Sequence, residues 1–318
     1  MIQTVTGAIS KKDLGTVLMH EHISCVSLLF NNAFGESWLN KTQLNTLACE
    51  TLKRTNQKYN LGLMVDGTPI DLGRDATLLK EVSELSGIRI VASTGFYYLQ
   101  SIETFNNNAE EIASWLIYEC KNGICDTDIK PGILKCATGN MGITEDNQKK
   151  LSAIAIVQKE TGLPLYVHCE HSEDIAFRQL EILLDNGADI EKTIIGHTAI
   201  RPDADYLENI LEKGCYICMD QGHCYPQNLN VIAETLVKLC KKQYTDKILL
   251  SNDYCIHSDF CNCNTNGLHL NPEQHTENLG YIFDVLYKEY IAIGGNDKDW
   301  NKILCENPLN VLDFDKIT

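Results

Sequence analysis

The residues best able to do chemistry stand at the ends of short apolar runs. Val17-Leu-Met19 leads into His20-Glu-His22, and Gly132-Ile-Leu-Lys135 ends on a lysine. Leu163-Pro-Leu-Tyr-Val167 is followed by His168, Thr193-Ile-Ile195 by His197, and Lys247-Ile-Leu-Leu250 by Asp253. Residues i and i+2 of a strand point to one face, so His20 and His22 converge while Glu21 turns the other way. Two neutral imidazoles aimed at one point form a claw for a divalent cation. Singly, each residue has a plainer reading: a histidine hydrogen-bonded in a core, Lys135 opening a surface loop, Asp253 capping the next element. Taken together, the plainer reading puts costly polar groups at the same end of successive buried strands by accident. Ionised groups buried without partners would cost several kcal/mol each. The joint pattern therefore argues for a metal site.

The elements that must position these groups follow from the same runs. With Leu61-Gly-Leu-Met-Val65, Ile88-Arg-Ile-Val-Ala92 and Cys215-Tyr-Ile-Cys218 they number eight. Each is short and almost continuously apolar, as strands covered on both faces are. Segments of helical spacing lie between them. Glu145 to Glu160 has Thr144 as N-cap and Gly162 as its stop, and the stretches 174–185, 202–213 and 229–242 behave similarly. Alternating strands and helices predict an α/β fold, a (β/α)8 TIM barrel forming a single domain over residues 1–318. A doubly wound open sheet is the alternative, but no G-x-G-x-x-G follows the first strand. In a barrel, chemistry belongs at the C-terminal ends of the strands, where these polar residues fall.

The 318 residues carry a formal net charge of −16. Such a surface repels phosphate backbones and anionic lipid, so neither nucleic acid nor membrane is an expected partner. Met1-Ile-Gln-Thr-Val-Thr-Gly7 lacks the basic start and apolar run of a signal peptide. No apolar stretch approaches the ~20 residues of a membrane span, and the sequence reads as cytoplasmic. The 14 cysteines then read as reduced thiols. Cys255, His257, Cys261, Cys263 and His269 form a cluster that could hold a separate zinc. C-x-C is not the usual zinc spacing, and reduced loop cysteines are the preferred reading.

The chain resembles the phosphotriesterase-like family of the amidohydrolase superfamily. The resemblance is carried by Gly15-Thr-Val-Leu-Met-His-Glu-His22, Ser93-Thr-Gly-Phe-Tyr-Tyr98, Ile133-Leu-Lys135, Val167-His168, Ile195-Gly-His-Thr198 and Ile248-Leu-Leu-Ser-Asn-Asp253, and it runs from Thr4 to Glu306-Asn-Pro308. It implies two divalent ions at the barrel mouth, zinc first, with manganese, cobalt or iron as alternatives. His20, His22 and Asp253 would hold the buried ion, and His168 and His197 the exposed one. A carbamylated Lys135 and a hydroxide would bridge them. The hydroxide would be the nucleophile, and Asp253 would double as its proton acceptor.

The resemblance also has departures. Phosphotriesterases proper carry a histidine after the strand-seven aspartate, whereas here Asp220 is followed by Gln221; nor does an aspartate follow His197 before Asp203. Tyr97 matches the tyrosine of the related lactonases, which donates to a developing oxyanion or leaving oxygen. The expectation is therefore opening of a lactone, with phosphotriester or carboxylester hydrolysis at the same centre as the alternative. A non-catalytic binding barrel and a metal-free protein with structural histidines are the competing readings. Arg201 and Asp220, after strands six and seven, join Tyr97 as expected substrate contacts. No Lys or Arg lies between Lys247 and Lys288, and the segment is polar, which points to a polar or sugar-derived lactone. A homodimer is implied by the resemblance alone.

Overall fold

The computed structural model describes residues 1–12, 14–172, 174–260 and 271–314. Two short strands, β1 (Ile2–Thr4) and β2 (Gly7–Ile9), pair antiparallel as a hairpin that the sequence reading did not anticipate. The sheet that follows is built from β3 (Thr16–Cys25), β4 (Leu61–Asp66), β5 (Arg89–Gly95), β6 (Ile133–Ala137), β7 (Leu165–His168), β8 (Thr193–Ile195), β9 (Tyr216–Met219), β10 (Ile248–Leu250) and β11 (Cys255–Ser258). Each strand pairs in parallel with the next in sequence from β3 to β10, and β11 pairs in parallel with β3. The ring closes because β10 and β11 are two halves of one barrel strand, broken at Ser251–Tyr254. Across the break, His20 donates its amide to Ser251 Oγ at 2.8 Å and accepts the Asp253 amide at 2.8 Å. The architecture is a (β/α)8 barrel. Cys255 to Ser258, read from sequence as loop, is strand, while 261–270, with Cys261, Cys263 and His269, lie outside the described residues.

Two apolar layers hold the barrel. Val17, Met19, Leu63, Val65, Val91, Ile133, Ile194 and Leu249 pack inside it, with Ile2, Val311 and Leu312 joining the same cluster. Leu18, Ile23, Met64, Ile90, Leu134, Ile195 and Leu250 face the helices. The helices follow from their caps as much as their apolar faces. Thr144 accepts the Asn147 amide at the start of Glu145–Thr161, and Gly162 ends that helix at φ 69°. The neighbouring helices span Ile175–Asp185, Ala204–Leu211 and Leu229–Lys241, close to the predicted stretches. Among the described residues no helix is long and apolar enough to cross a membrane.

One irregularity decides the chemistry. Val17 and Met19 point into the barrel, so strict alternation would aim Glu21 inward and both histidines at the helices. The pairing of β3 with β4 slips between Leu18 and Glu21, and that extra residue reverses the alternation. His20 and His22 thereby turn into the barrel mouth.

Candidate metal centre

His20, His22, Lys135, His168 and Asp253 all line one cavity of about 670 Å³ at the C-terminal mouth. His197 is fully buried against them, its Nε2 2.5 Å from His168 Nδ1. Asp253 Oδ1 lies 3.0 Å from His22 Nε2 and 3.4 Å from His20 Nε2. Lys135 Nζ stands 2.7 Å from His20 Nε2 and 4.3 Å from the centre of the Tyr166 ring. The residues that the sequence singled out as ligands thus meet at one place.

Asp220 explains which nitrogens face that place. Fully buried, it accepts from His20 Nδ1 at 2.8 Å through Oδ2. Its Oδ1 takes both His197 Nδ1 at 2.8 Å and the His197 amide at 2.7 Å, and the Tyr166 hydroxyl donates to Oδ2. A carboxylate only accepts, so both imidazoles carry their proton on Nδ1 and present a bare Nε2. Burial alone would raise the Asp220 pKa, but His197 and His20 hold it below the usual carboxylate range. The substrate-contact role expected of Asp220 is therefore corrected: it sits behind the histidines, not in the cavity wall.

Burial sets the charge state of the remaining groups. It lowers the His20 pKa to about 3, with Lys135 adding to the effect. His168 falls well below its ordinary value through burial and its neighbour His197. Lys135 is lowered by burial against the pull of Asp253 and Asp220, which favours the neutral amine. Burial also opposes ionisation of Asp253, yet His20 and His22 keep it a carboxylate. Burial opposes charge on His22, yet Cys25 and Asp253 raise its pKa well above the ordinary value, so a cation there would displace its proton. With His20 and His168 neutral, the mouth offers imidazole nitrogens, an amine and an anionic oxygen, a donor set for divalent cations. His20, His22 and Asp253 bring ligand atoms within 4.8 Å of one another. His20, His197 and Asp220 are equally close, but there Asp220 meets the Nδ1 side of both rings, away from the Nε2 atoms, so Asp220 reads as their support.

Three supports escaped the sequence reading. Glu21, buried between barrel and helices, accepts from Ser251 Oγ, Asn252 N, Asn252 Nδ2 and Tyr254 N, and so fixes the break that carries Asp253. Thr68 Oγ1 lies 2.8 Å from His22 Nδ1. Gly67 gives the histidine edges room, since a Cβ there would come within 2.4 Å of His20 Cδ2 and 2.8 Å of Nε2. The available signal was position: Gly67 directly follows β4, and Glu21 lies between two of the ligands.

Tyr97 faces the cavity edge-on to His168, with ring centres 5.1 Å apart. Its amide is held by both Asp71 oxygens at 2.8 and 3.0 Å, and its carbonyl by Lys150 at 3.2 Å. Burial pushes the phenol pKa up, so it remains a donor. Arg201 is not among the described lining residues; its guanidinium stacks 3.9 Å over Tyr206. Gln221 does line the cavity and donates Nε2 to Asp253 Oδ2 at 2.5 Å.

A parallel barrel with this donor set at its C-terminal mouth defines a metal-dependent hydrolase. The sequence matches the phosphotriesterase family over residues 1–312. It is 34% identical to the aryldialkylphosphatase of Saccharolobus solfataricus over 259 residues, 80% of this chain and 81% of that protein. It is 25% identical to the N-acetyltaurine hydrolase of Xenopus tropicalis, covering 98% of both chains. The solved phosphotriesterase from Mycobacterium tuberculosis superposes with a TM-score of 0.89 at 27% identity, over 98% of each chain. The chain belongs to the phosphotriesterase family.

Proposed function

We propose that the protein hydrolyses an uncharged polar lactone, with a sugar-derived ring as the first candidate, at a centre of two divalent ions. His20, His22 and Asp253 would hold one ion, and His168 and His197 the other. Lys135 would lie between them as a carbamate, since burial lowers its pKa and so favours the neutral amine, the form that adds to carbon dioxide. Zinc suits this mix of imidazole and carboxylate ligands, as do manganese, cobalt and iron. Bound there, the pair supplies an activated water and a Lewis acid for the carbonyl oxygen.

The observation that carries the reading is the charge of the wall. Apart from Lys135, no Lys or Arg lines the cavity among the described residues, and 261–270 contain neither. A sulfonate or phosphate set away from the ions would find no cationic side chain in this wall, which supports a neutral substrate. Gln221, His223, Gln274, His275 and Asn278 supply hydrogen-bonding groups for its ring substituents. Tyr97 donates a proton or hydrogen bond to oxygen as charge develops there, and Asp253 accepts the nucleophile's proton. Gln221 cannot pass that proton on, because an amide has no basic nitrogen at neutral pH.

A second reading is an aryl phosphotriester. It is equally uncharged, and the relative named aryldialkylphosphatase favours it. The deciding experiment is proton release by metal-reconstituted protein from neutral lactones, a phosphorylated lactone and an aryl phosphotriester, with Tyr97→Phe beside the wild type. Faster lactone opening, weakened about tenfold to a hundredfold in Tyr97→Phe, supports the proposal. Faster triester cleavage, indifferent to Tyr97, overturns it in favour of the second reading.

A further inference from the structure

Two cysteines in the cavity wall have no part in the hydrolysis described above. Cys25 ends β3, three residues after His22, and Cys255 opens β11, two residues after Asp253. Both line the cavity, and their sulfurs are 3.8 Å apart. The strand register pairs Cys255 with His22 and Cys25 with Ser258, a stagger of three residues. Along a twisted strand that is on the order of 9 Å, beyond the ~7 Å between α-carbons that a disulfide can span. The sulfurs meet because the side chains lean towards each other, while the backbones stay too far apart to bond them directly.

That geometry suits an ion between the sulfurs. Two thiolates on a tetrahedral zinc at about 2.3 Å each are separated by about 3.8 Å. Ligand atoms of Cys25, Cys255 and His22 all lie within 4.8 Å of one another. We propose that Cys25 and Cys255 form a third cation site in the substrate cavity, selective for thiophilic ions such as cadmium or excess zinc. Binding converts two thiols and a divalent ion into a dithiolate complex and two released protons. His22 adjoins the two sulfurs, so an ion seated on them lies beside the buried hydrolytic ion and occupies substrate volume. This inference rests on the reading of His22 as a ligand of the hydrolytic centre; the thiolate site itself does not.

The test is titration of protein already loaded with two equivalents of zinc, using cadmium as the probe. Binding is followed by sulfur-to-cadmium charge-transfer absorption and by bound-metal stoichiometry. The expected result is one further equivalent, a thiolate absorption lost in both Cys25→Ser and Cys255→Ser, and retention in Cys240→Ser. In the wild type, alkylation mapping should show Cys25 and Cys255 protected together by that equivalent, which needs no variant to fold. Absence of the third equivalent, or an absorption that survives both substitutions and disappears in a Cys261→Ser/Cys263→Ser double variant, overturns the proposal. Either result would leave two thiols in ordinary van der Waals contact. If the protein instead fails to hold the first two zinc ions, the hydrolytic reading fails while the cadmium absorption still reports on the cysteines.

Discussion

Replacing Asp220 by asparagine should release one metal ion and spare the other. The carboxylate has four donors pointed at it: His20 Nδ1–H and the Tyr166 hydroxyl on Oδ2, and the His197 amide and Nδ1–H on Oδ1. An asparagine of the same shape has one oxygen and one NH2. The His197 backbone N–H cannot change its donor role, so the amide oxygen must take the Oδ1 position. The NH2 then faces His20, which has to receive a hydrogen bond on Nδ1 and carry its proton on Nε2. That nitrogen loses the lone pair it offers the centre. A charge-assisted hydrogen bond contributes about 1.5–3 kcal/mol, matching the 10–100-fold loss of affinity typical when such a support is removed. The ion held by His20, His22 and Asp253 should therefore weaken about 10–100-fold, and the one at His168 and His197 by less than about threefold. Dialysis against graded chelator, with metal content read by emission spectroscopy, separates the two losses. Equal loss of both ions would show that Asp220 only holds the fold, and wild-type retention of both would refute the tautomer argument.

Two further outcomes are expected. Gly67→Ala places a Cβ in the space of the His20 ring, and a displacement near 1 Å should cut turnover by about a hundredfold with little change in melting temperature; unchanged turnover would show the ring can yield. His171 donates Nε2–H to the Gly196 carbonyl at 2.7 Å and accepts from Tyr206, and burial lowers its pKa to about 4. Its folded value lies below its unfolded one, so its contribution is complete above pH ~6.5 and is lost as the pH falls towards 4. Denaturation at pH 7 and pH 5 should differ by about 2 kcal/mol more in wild type than in His171→Gln, and equal differences would remove His171 as the cause.

Much of this site could be read in the sequence because buried parallel strands leave little choice: a polar side chain at their ends is either supported or ruinous. That logic found His20, His22, Lys135, His168, His197 and Asp253. It could not find the slip between Leu18 and Glu21, since alternation fixes which residues share a face and not which face is inside. Cys255 to Ser258 was mistaken for loop because Cys-Ile-His-Ser is too short and mixed to show the apolar run of a covered strand. Asp220 was recognised as notable but placed in the wall, as spacing cannot distinguish a group facing a cavity from one facing the back of a ligand. Arg201 was assigned by charge alone, and the structure adds only that its guanidinium stacks on Tyr206.

His197, Gln221 and Asp253, at the ends of three consecutive strands, all have left-handed backbones, with φ of 58°, 60° and 56°. Each such conformation in a residue with a side chain costs on the order of 1–3 kcal/mol. For laboratory evolution this divides the rim into unequal positions. Two of the three are committed to the metal centre, whereas glycine at 221 would relax the backbone at the cost of the hydrogen bond to Asp253 and of one amide in the cavity wall. A library built on such a stabilised parent would tolerate disruptive cavity substitutions that the present chain would not survive, so the route to new substrates starts at a wall residue that holds no metal.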